Sequence, residues 1–278
     1  MKYGFVIPGG DLPTVLELAS EAEVADWDGV FYWDAIHIGA VERIYDAWVV
    51  LAGIAMRTKR IRIGAFLTNV TRRRPWKLAR EAVTLDHLSN GRLIFPTGLG
   101  SLDDGGFTKV GEPLDRGTRA ELLDEGLEIL VGLWSGKPFS FHGQHFSIEE
   151  MTFLPAPVQS PRIPIWVVGA WPKPKSMQRA LRYDGLIPTK KDPDGTIAKV
   201  SPTDIRSMRA YVAENRALAS PFEIVYEGET PGDDPKRAAE TVRPYAESGV
   251  TWWIESRWSF SDLGEVRERL RQGPPRVE

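Results

Sequence analysis

The sequence contains no cysteine. That absence removes disulfides, zinc–thiolate sites, iron–sulfur ligation and thiol nucleophiles together. Histidine is nearly as scarce, with 4 residues, so a histidine-rich metal centre has little to draw on. There is no basic excess either: 35 Lys and Arg stand against 38 Asp and Glu, a formal net charge of −3. Nucleic-acid binding normally carries a positive surplus, and that class is set aside. No run approaches the roughly 20 apolar residues of a membrane span. The N-terminal stretch Met1–Gly10 is too short for a signal h-region and lacks a small-residue cleavage site, so the expected location is cytoplasmic.

What is present is an ordinary globular balance, 42% hydrophobic and 26% charged, which excludes disorder, collagen and coiled-coil rods. The 278 residues suit either two ordinary domains or one α/β barrel of about 250 residues. Ten Trp and 26 Gly are the unusual features.

Along the chain, short apolar, β-branched or aromatic runs alternate with amphipathic stretches. The expected strands are Tyr3–Ile7, Gly29–Trp33, Ile61–Leu67, Leu93–Thr97, Ile165–Val168, Gly185–Pro188, Phe222–Tyr226 and Val250–Ile254. A predicted helix follows each of them. Asp11 is placed to cap the first helix and Asn90-Gly91 to end the third. The clearest helix, Arg116 to Trp134, carries Leu123, Leu127, Leu130 and Trp134 as one stripe. Phe139–Phe141 and His145–Ile148 flank His142-Gly143-Gln144 as a hairpin.

Eight strand–helix units, evenly spread and without a proline-rich linker, predict a single (β/α)8 TIM barrel over residues 1–278. The hairpin is its small insertion between the fourth helix and the fifth strand. An open doubly wound sheet is the competing arrangement. Trp27, Trp134 and Trp166 are expected between helices and barrel, and Trp33, Trp171 and Trp258 at the strand ends. Trp252 and Trp253 should alternate faces within the last strand.

A barrel keeps its chemistry in the loops after its strands. Gly98-Leu99-Gly100 and Gly169-Ala170-Trp171 directly follow strands four and five. Glycines there let a flat or phosphorylated ligand approach backbone N–H groups, although a tight turn explains them equally. Arg72-Arg73-Arg74-Pro75 reads as an anion site at a helix start or as a solvated basic face. Asp34, Glu227 and Glu255 stand at strand ends, where paired carboxylates would act. Lys190 would suit a Schiff base only if desolvated, and its neighbours Lys191 and Asp192 argue for a solvated cluster. His142 and His145 read as turn-flanking residues and His87 as a helix-end residue. No metal site is expected.

Three ordered segments resemble one family. Trp76–Glu81, Leu85–Leu93 and Gly98–Gly100 look like the central signature of the bacterial-luciferase-like flavin oxidoreductases. Leu122–Leu127, Leu133–Gly136 and Phe141–Phe146 follow in the family's order, as do Pro164–Gly169, Ala180 and Tyr183–Gly185. The last third fits by barrel topology alone. The resemblance implies a (β/α)8 barrel holding FMN or its deazaflavin analogue, coenzyme F-420. The implied activity is an oxidoreductase or monooxygenase acting on a small organic molecule. It further implies a homodimer and, for FMN, a separate flavin reductase.

Carried over by position, Ala65, Phe66, Leu67 and Thr68 form the bulge behind the ring, where relatives often have a non-proline cis peptide. Gly98 and Gly100 wall the cofactor, while Gly169, Ala170, Trp171 and Ser176 hold its chain or phosphate. Proton handling falls to Asp34 or His37. Relatives often carry a histidine directly after that aspartate, and here Ala35 takes the place. Glu255 and Arg257 are the expected substrate contacts, as charged residues at a barrel mouth. Two other readings remain: a catalytically silent flavin-binding protein on the same barrel, and a cofactor-free lyase using Lys190.

Overall fold

The computed structural model describes residues 1–39, 41–192, 196–258 and 262–277. The first half runs β1 (Lys2–Ile7), α1 (Leu12–Val24), β2 (Gly29–Tyr32), α2 (Ala47–Arg57), β3 (Arg62–Ala65), α3 (Pro75–Leu88), β4 (Phe95–Thr97), a short α4 (Gly105–Thr108) and α5 (Arg116–Trp134). The hairpin β5 (Pro138–His142) and β6 (Ser147–Thr152) comes next. The second half holds β7 (Ile165–Trp171), α6 (Pro174–Leu181), β8 (Gly185–Lys191), β9 (Ile197–Ala198), α7 (Pro202–Asn215), β10 (Glu223–Gly228), α8 (Pro235–Ser248), β11 (Trp252–Glu255) and α9 (Leu263–Arg271).

Parallel pairing follows the order β3-β2-β1-β11-β10-β8-β7-β4. Parallel bridges join Ile63 to Leu93 and Thr68 to Thr97, bringing the two ends together around a barrel. The predicted α/β barrel with its hairpin insertion is therefore observed. The helices start where the sequence supplies a cap: the side chains of Asp11, Asp46, Asp115, Asp234 and Asp262 accept N–H groups of the first turn. Ser201 and Asp204 close a reciprocal capping box on α7. After α3, Asn90 and Gly91 take φ of 53° and 76°, the left-handed stop their sequence announced.

Alternation along the strands sorts side chains into two layers. One packs against the helices. The other fills the lumen with Val6, Phe31, Phe66, Ile94, Trp166, Ile187, Val225, Trp252 and Ile254. Its centre is aromatic: Phe31 meets Phe66, Trp166 and Trp252 at 5.8, 5.9 and 6.3 Å between ring centres. Rings this wide need small residues opposite them. Phe31 is in register with Gly64, and Trp166 with Gly185. A Cβ on Gly185 would lie 2.5 Å from the Trp166 ring.

Three expectations change. Trp166 lies in the lumen rather than under the helices, because it shares a face with Val168 while Ile165 and Val167 point outward. Trp27 and Trp134 do pack against helices, and Trp252 and Trp253 divide between the layers as alternation requires. The hairpin turn is longer than expected. Glu125 on α5 accepts the N–H groups of Gln144, His145 and Phe146, so His145 and Phe146 belong to the turn and β6 starts at Ser147. Finally, β9 pairs antiparallel with the extended end of β8, an element that its two residues did not announce.

Candidate active site

The loop after β2 is fixed by buried charge. Asp34 Oδ1 accepts from Arg73 at 2.9 Å and Arg72 at 3.1 Å, while Oδ2 takes the Asn69 N–H at 3.1 Å. Arg72 also pairs with Asp104. Asp104 in turn accepts the backbone N–H groups of His37 and Gly106 at 2.9 and 2.8 Å. Burial opposes the ionised Asp104, but those N–H groups and Arg72 outweigh it and hold its carboxyl below the ordinary value. The structure thus brings Asp34 and His37 into one network and gives them different surroundings. Asp34 is enclosed and its oxygens are taken. The His37 side chain is exposed and packs beside Gly105. The arginine run is not a free anion site, since Arg72 and Arg73 are already neutralised by carboxylates.

At the end of β3 the Phe66–Leu67 peptide is cis, as the resemblance implies. Ala65 faces the helices and Phe66 the lumen. Leu67 and Val168, only partly buried, sit on the lumen cluster and form an apolar platform at this end. Thr68 is fully buried, and its hydroxyl has no partner among the described residues. Trp33, half-buried, ties the neighbouring strand ends by donating from Nε1 to the Pro8 carbonyl at 2.9 Å.

The glycines after β4 and within β7 are closely packed on their Cβ side. A Cβ on Gly98 would lie 3.0 Å from Val168, one on Gly100 2.3 Å from Phe107, and one on Gly169 2.2 Å from Leu186. The protein's own side chains take up that space. Gly9, at the end of β1, instead faces open space. The Ala170 N–H is occupied by Ser176 Oγ at 2.9 Å, and Trp171 packs edge-on against Tyr211.

Glu255 does not reach the mouth. Trp253 and Glu255 face the helix layer while Trp252 and Ile254 face the lumen. Glu255 is fully buried, accepting from Thr230 N and Oγ1 at 2.9 and 2.8 Å and from Arg269 at 3.3 Å. Arg257 contacts it at 3.4 Å and donates to the Thr230 carbonyl. The carboxylate that does turn inward is Glu227, which alternation along β10 could have singled out. It accepts from Ser256 Oγ and Trp258 Nε1 at 2.8 and 2.5 Å.

Lys190 is ion-paired to Asp204 at 2.9 Å, so its amine is engaged by a carboxylate rather than aimed at a bound carbonyl. The histidines outside the mouth have ordinary partners: His87 the Ala156 carbonyl, His142 Ser147, and His145 Glu121. Among the described residues no group of three or more His, Asp or Glu could hold a metal ion.

Fold and candidate site together define an α/β barrel whose strand-end loops carry clustered polar residues. Within that class the chain belongs to the luciferase-like monooxygenase family, whose model matches residues 4–272. This bears out the resemblance read from the sequence. Two Mycobacterium tuberculosis proteins, both uncharacterized, are 32% identical over 152 residues and 30% identical over 179. The matches cover 55% and 64% of this chain but 52% and 58% of those proteins, so the chain spans little more than half their length.

Among solved structures, an F-420-dependent secondary alcohol dehydrogenase bound to an F-420–acetone adduct superposes with a TM-score of 0.80. It is 17% identical, with 100% of this chain and 99% of that one covered. The F-420-dependent tetrahydromethanopterin reductase of Methanopyrus kandleri gives 0.76 at 16% identity, covering 98% of each chain. The oxygenating constituent of the 3,6-diketocamphane monooxygenase of Pseudomonas putida, bound to FMN, gives 0.75 at 14% identity, covering 100% and 99%. At such identities the likeness is one of fold.

Proposed function

We propose that this chain is an oxidoreductase that uses FMN or coenzyme F-420 at the C-terminal mouth of its barrel to act on a small organic molecule. The observation that carries the reading is the site itself: an apolar platform of Leu67 and Val168 over a plugged lumen, with the unpartnered Thr68 hydroxyl beside it. That donor set fits a flat ring with polar edge atoms. Leu67 and Val168 would support its face, Thr68 would meet a polar atom, and Trp33 would help exclude water. Exposed Lys173 and Lys175 at the start of α6 would face an anionic cofactor chain. When bound, the cofactor would supply two-electron redox chemistry, with oxygen activation available to reduced FMN and hydride transfer to F-420.

Of the two candidate proton carriers, His37 suits the role better than Asp34. Its side chain is exposed at the mouth, whereas Asp34 is held by two guanidinium groups. In this reading residues 1–278 work as one barrel, in the cytoplasm. A second copy would pack on the exposed apolar residues Val49 and Met56 of α2, and a separate reductase would serve the FMN case.

Fluorescence titration of the purified chain with FMN and F-420 tests the proposal. One of the two should bind with a Kd of about 10 μM or tighter. Binding of neither below about 1 mM overturns it. Binding without any reduction or turnover of the bound cofactor would support the silent-binder alternative instead.

A further inference from the structure

Of the strand-end carboxylates, the structure uses two internally: Asp34 is enclosed by Arg72 and Arg73, and Glu255 by Thr230 and Arg269. Glu227 differs. On β10, Ile224 and Tyr226 face the helices and Val225 lines the lumen, so Glu227 turns to the lumen side at the mouth. Ser256 turns the same way from the neighbouring strand, two residues beyond Ile254. Its hydroxyl and the Trp258 indole N–H both donate to Oε1. These contacts hold the carboxylate in place and leave Oε2 without a hydrogen bond among the described residues. No salt bridge to Lys or Arg neutralises Glu227 among them. The residue is half-exposed, at the same end of the barrel as the Leu67–Val168 platform.

We propose that Glu227 determines the specificity of the site: Oε2 accepts a hydrogen bond from the substrate, whose class is a small, mainly apolar molecule bearing an ammonium or hydroxyl donor. The proposal rests on the strand-end reading of the active site. A donor from an ammonium group makes a charge-assisted bond, roughly twice as strong as a neutral one. A carboxylate or phosphate at the same place would set two like charges together where no Lys or Arg is ion-paired to Glu227 among the described residues, which disfavours anionic substrates. Because Oε1 already has two donors, the ligand's donor has a defined oxygen to meet.

Hexylamine, hexan-1-ol and hexanoate, matched in chain length, test this in the full chain. Each is titrated against intrinsic tryptophan fluorescence, to which Trp258 contributes, and again with saturating FMN or F-420, following the cofactor. Hexylamine and hexan-1-ol should bind at least about tenfold tighter than hexanoate. Glu227→Gln should abolish the preference for hexylamine over hexanoate while leaving the cofactor Kd within about twofold. Ser256→Ala, which loosens the carboxylate without removing it, should give a smaller loss in the same direction.

Hexanoate binding as tightly as hexylamine, no response to any of the three, or an undiminished preference in Glu227→Gln overturns the proposal. The two readings fail separately. Loss of both cofactors with the amine preference intact would sink the cofactor assignment alone, and cofactor binding without the preference would sink the role of Glu227 alone.

Discussion

Among the described residues Arg92 has no carboxylate partner within ion-pair distance. Its guanidinium donates instead to the carbonyls of Ala55, Thr58, Ile61 and Ser89 and to the Thr58 hydroxyl. It therefore closes the C-terminal end of α2 and ties it to the start of β3. Asp86 does similar work, accepting from Val158 N and from Gln159 N and Nε2. The segment that resembles the family signature most strongly is thus largely a set of clamps. Its residues were legible as a family mark, but their structural role depends on oxygens far away in the sequence.

Two predictions belong at this scale. Asp104 has a carboxyl held below its ordinary value of 3.8, so its stabilisation is complete above that value and is lost as pH falls through the lowered one. Asp104→Asn should cost about 1–3 kcal/mol near neutral pH. The gap to the parent protein should narrow in urea titrations carried down to about pH 3. A gap independent of pH would contradict the network. Thr68→Val removes a buried hydroxyl that has no partner among the described residues, so it should leave stability unchanged or raise it by up to about 1 kcal/mol. In the same variant the Kd of the bound cofactor should weaken by about five- to tenfold, one lost hydrogen bond. Equal affinity in the two proteins would remove Thr68 from the site.

Among the elements, the barrel strands show how a sequence pattern is read differently from inside the fold. In the sequence, Gly98, Gly100 and Gly169 read as either ligand openings or tight turns. Others, inside the strands, seat aromatic rings in the lumen, where Phe31 and Trp166 each lie across from a glycine. Gly64 also allows the close approach of β3 and the segment entering β4, where a Cβ would stand 2.6 Å from the Ile94 carbonyl. Backbone cannot move aside as a side chain tip can. Gly64→Ala should therefore destabilise by about 1–3 kcal/mol, measured by urea unfolding, whereas a change of less than about 0.5 kcal/mol would mean that the strands separate easily. The helices were more legible. Arg116–Trp134 has the predicted limits, and Pro75–Leu88 stops just before the Asn90-Gly91 end signal, because caps and period are local. The hairpin turn was misplaced because Glu125, which holds it, lies on another element.

For the whole molecule, the chain's two ends complete the barrel. β11 pairs with β1, and α9 packs on α1 with Arg267 and Arg271 reaching Glu21. The Leu270 carbonyl accepts the Trp27 indole N–H, and Arg269 supplies the countercharge of Glu255. A chain shortened after Trp258 should lose both and leave the buried Glu255 to its 3.4 Å contact with the partly exposed Arg257. Near-UV circular dichroism and limited proteolysis are expected to report loss of fixed tertiary packing. A native-like spectrum in the shortened chain would mean that the last helix is an accessory.

The sequence by itself determined the alternation of strands and helices, the caps that begin them, and the family, since each is written in neighbouring residues or in an ordered motif. Tertiary structure alone decided which strand-end residues are available for chemistry. Asp34, Glu227 and Glu255 look alike in the sequence, each an acidic residue at the end of a barrel strand. Strand parity and distant arginines separate them: guanidinium groups from one loop enclose Asp34, α9 covers Glu255, and Glu227 is left facing the mouth. A charge's role depends on what replaces its water, and that is settled only when the chain has closed around it.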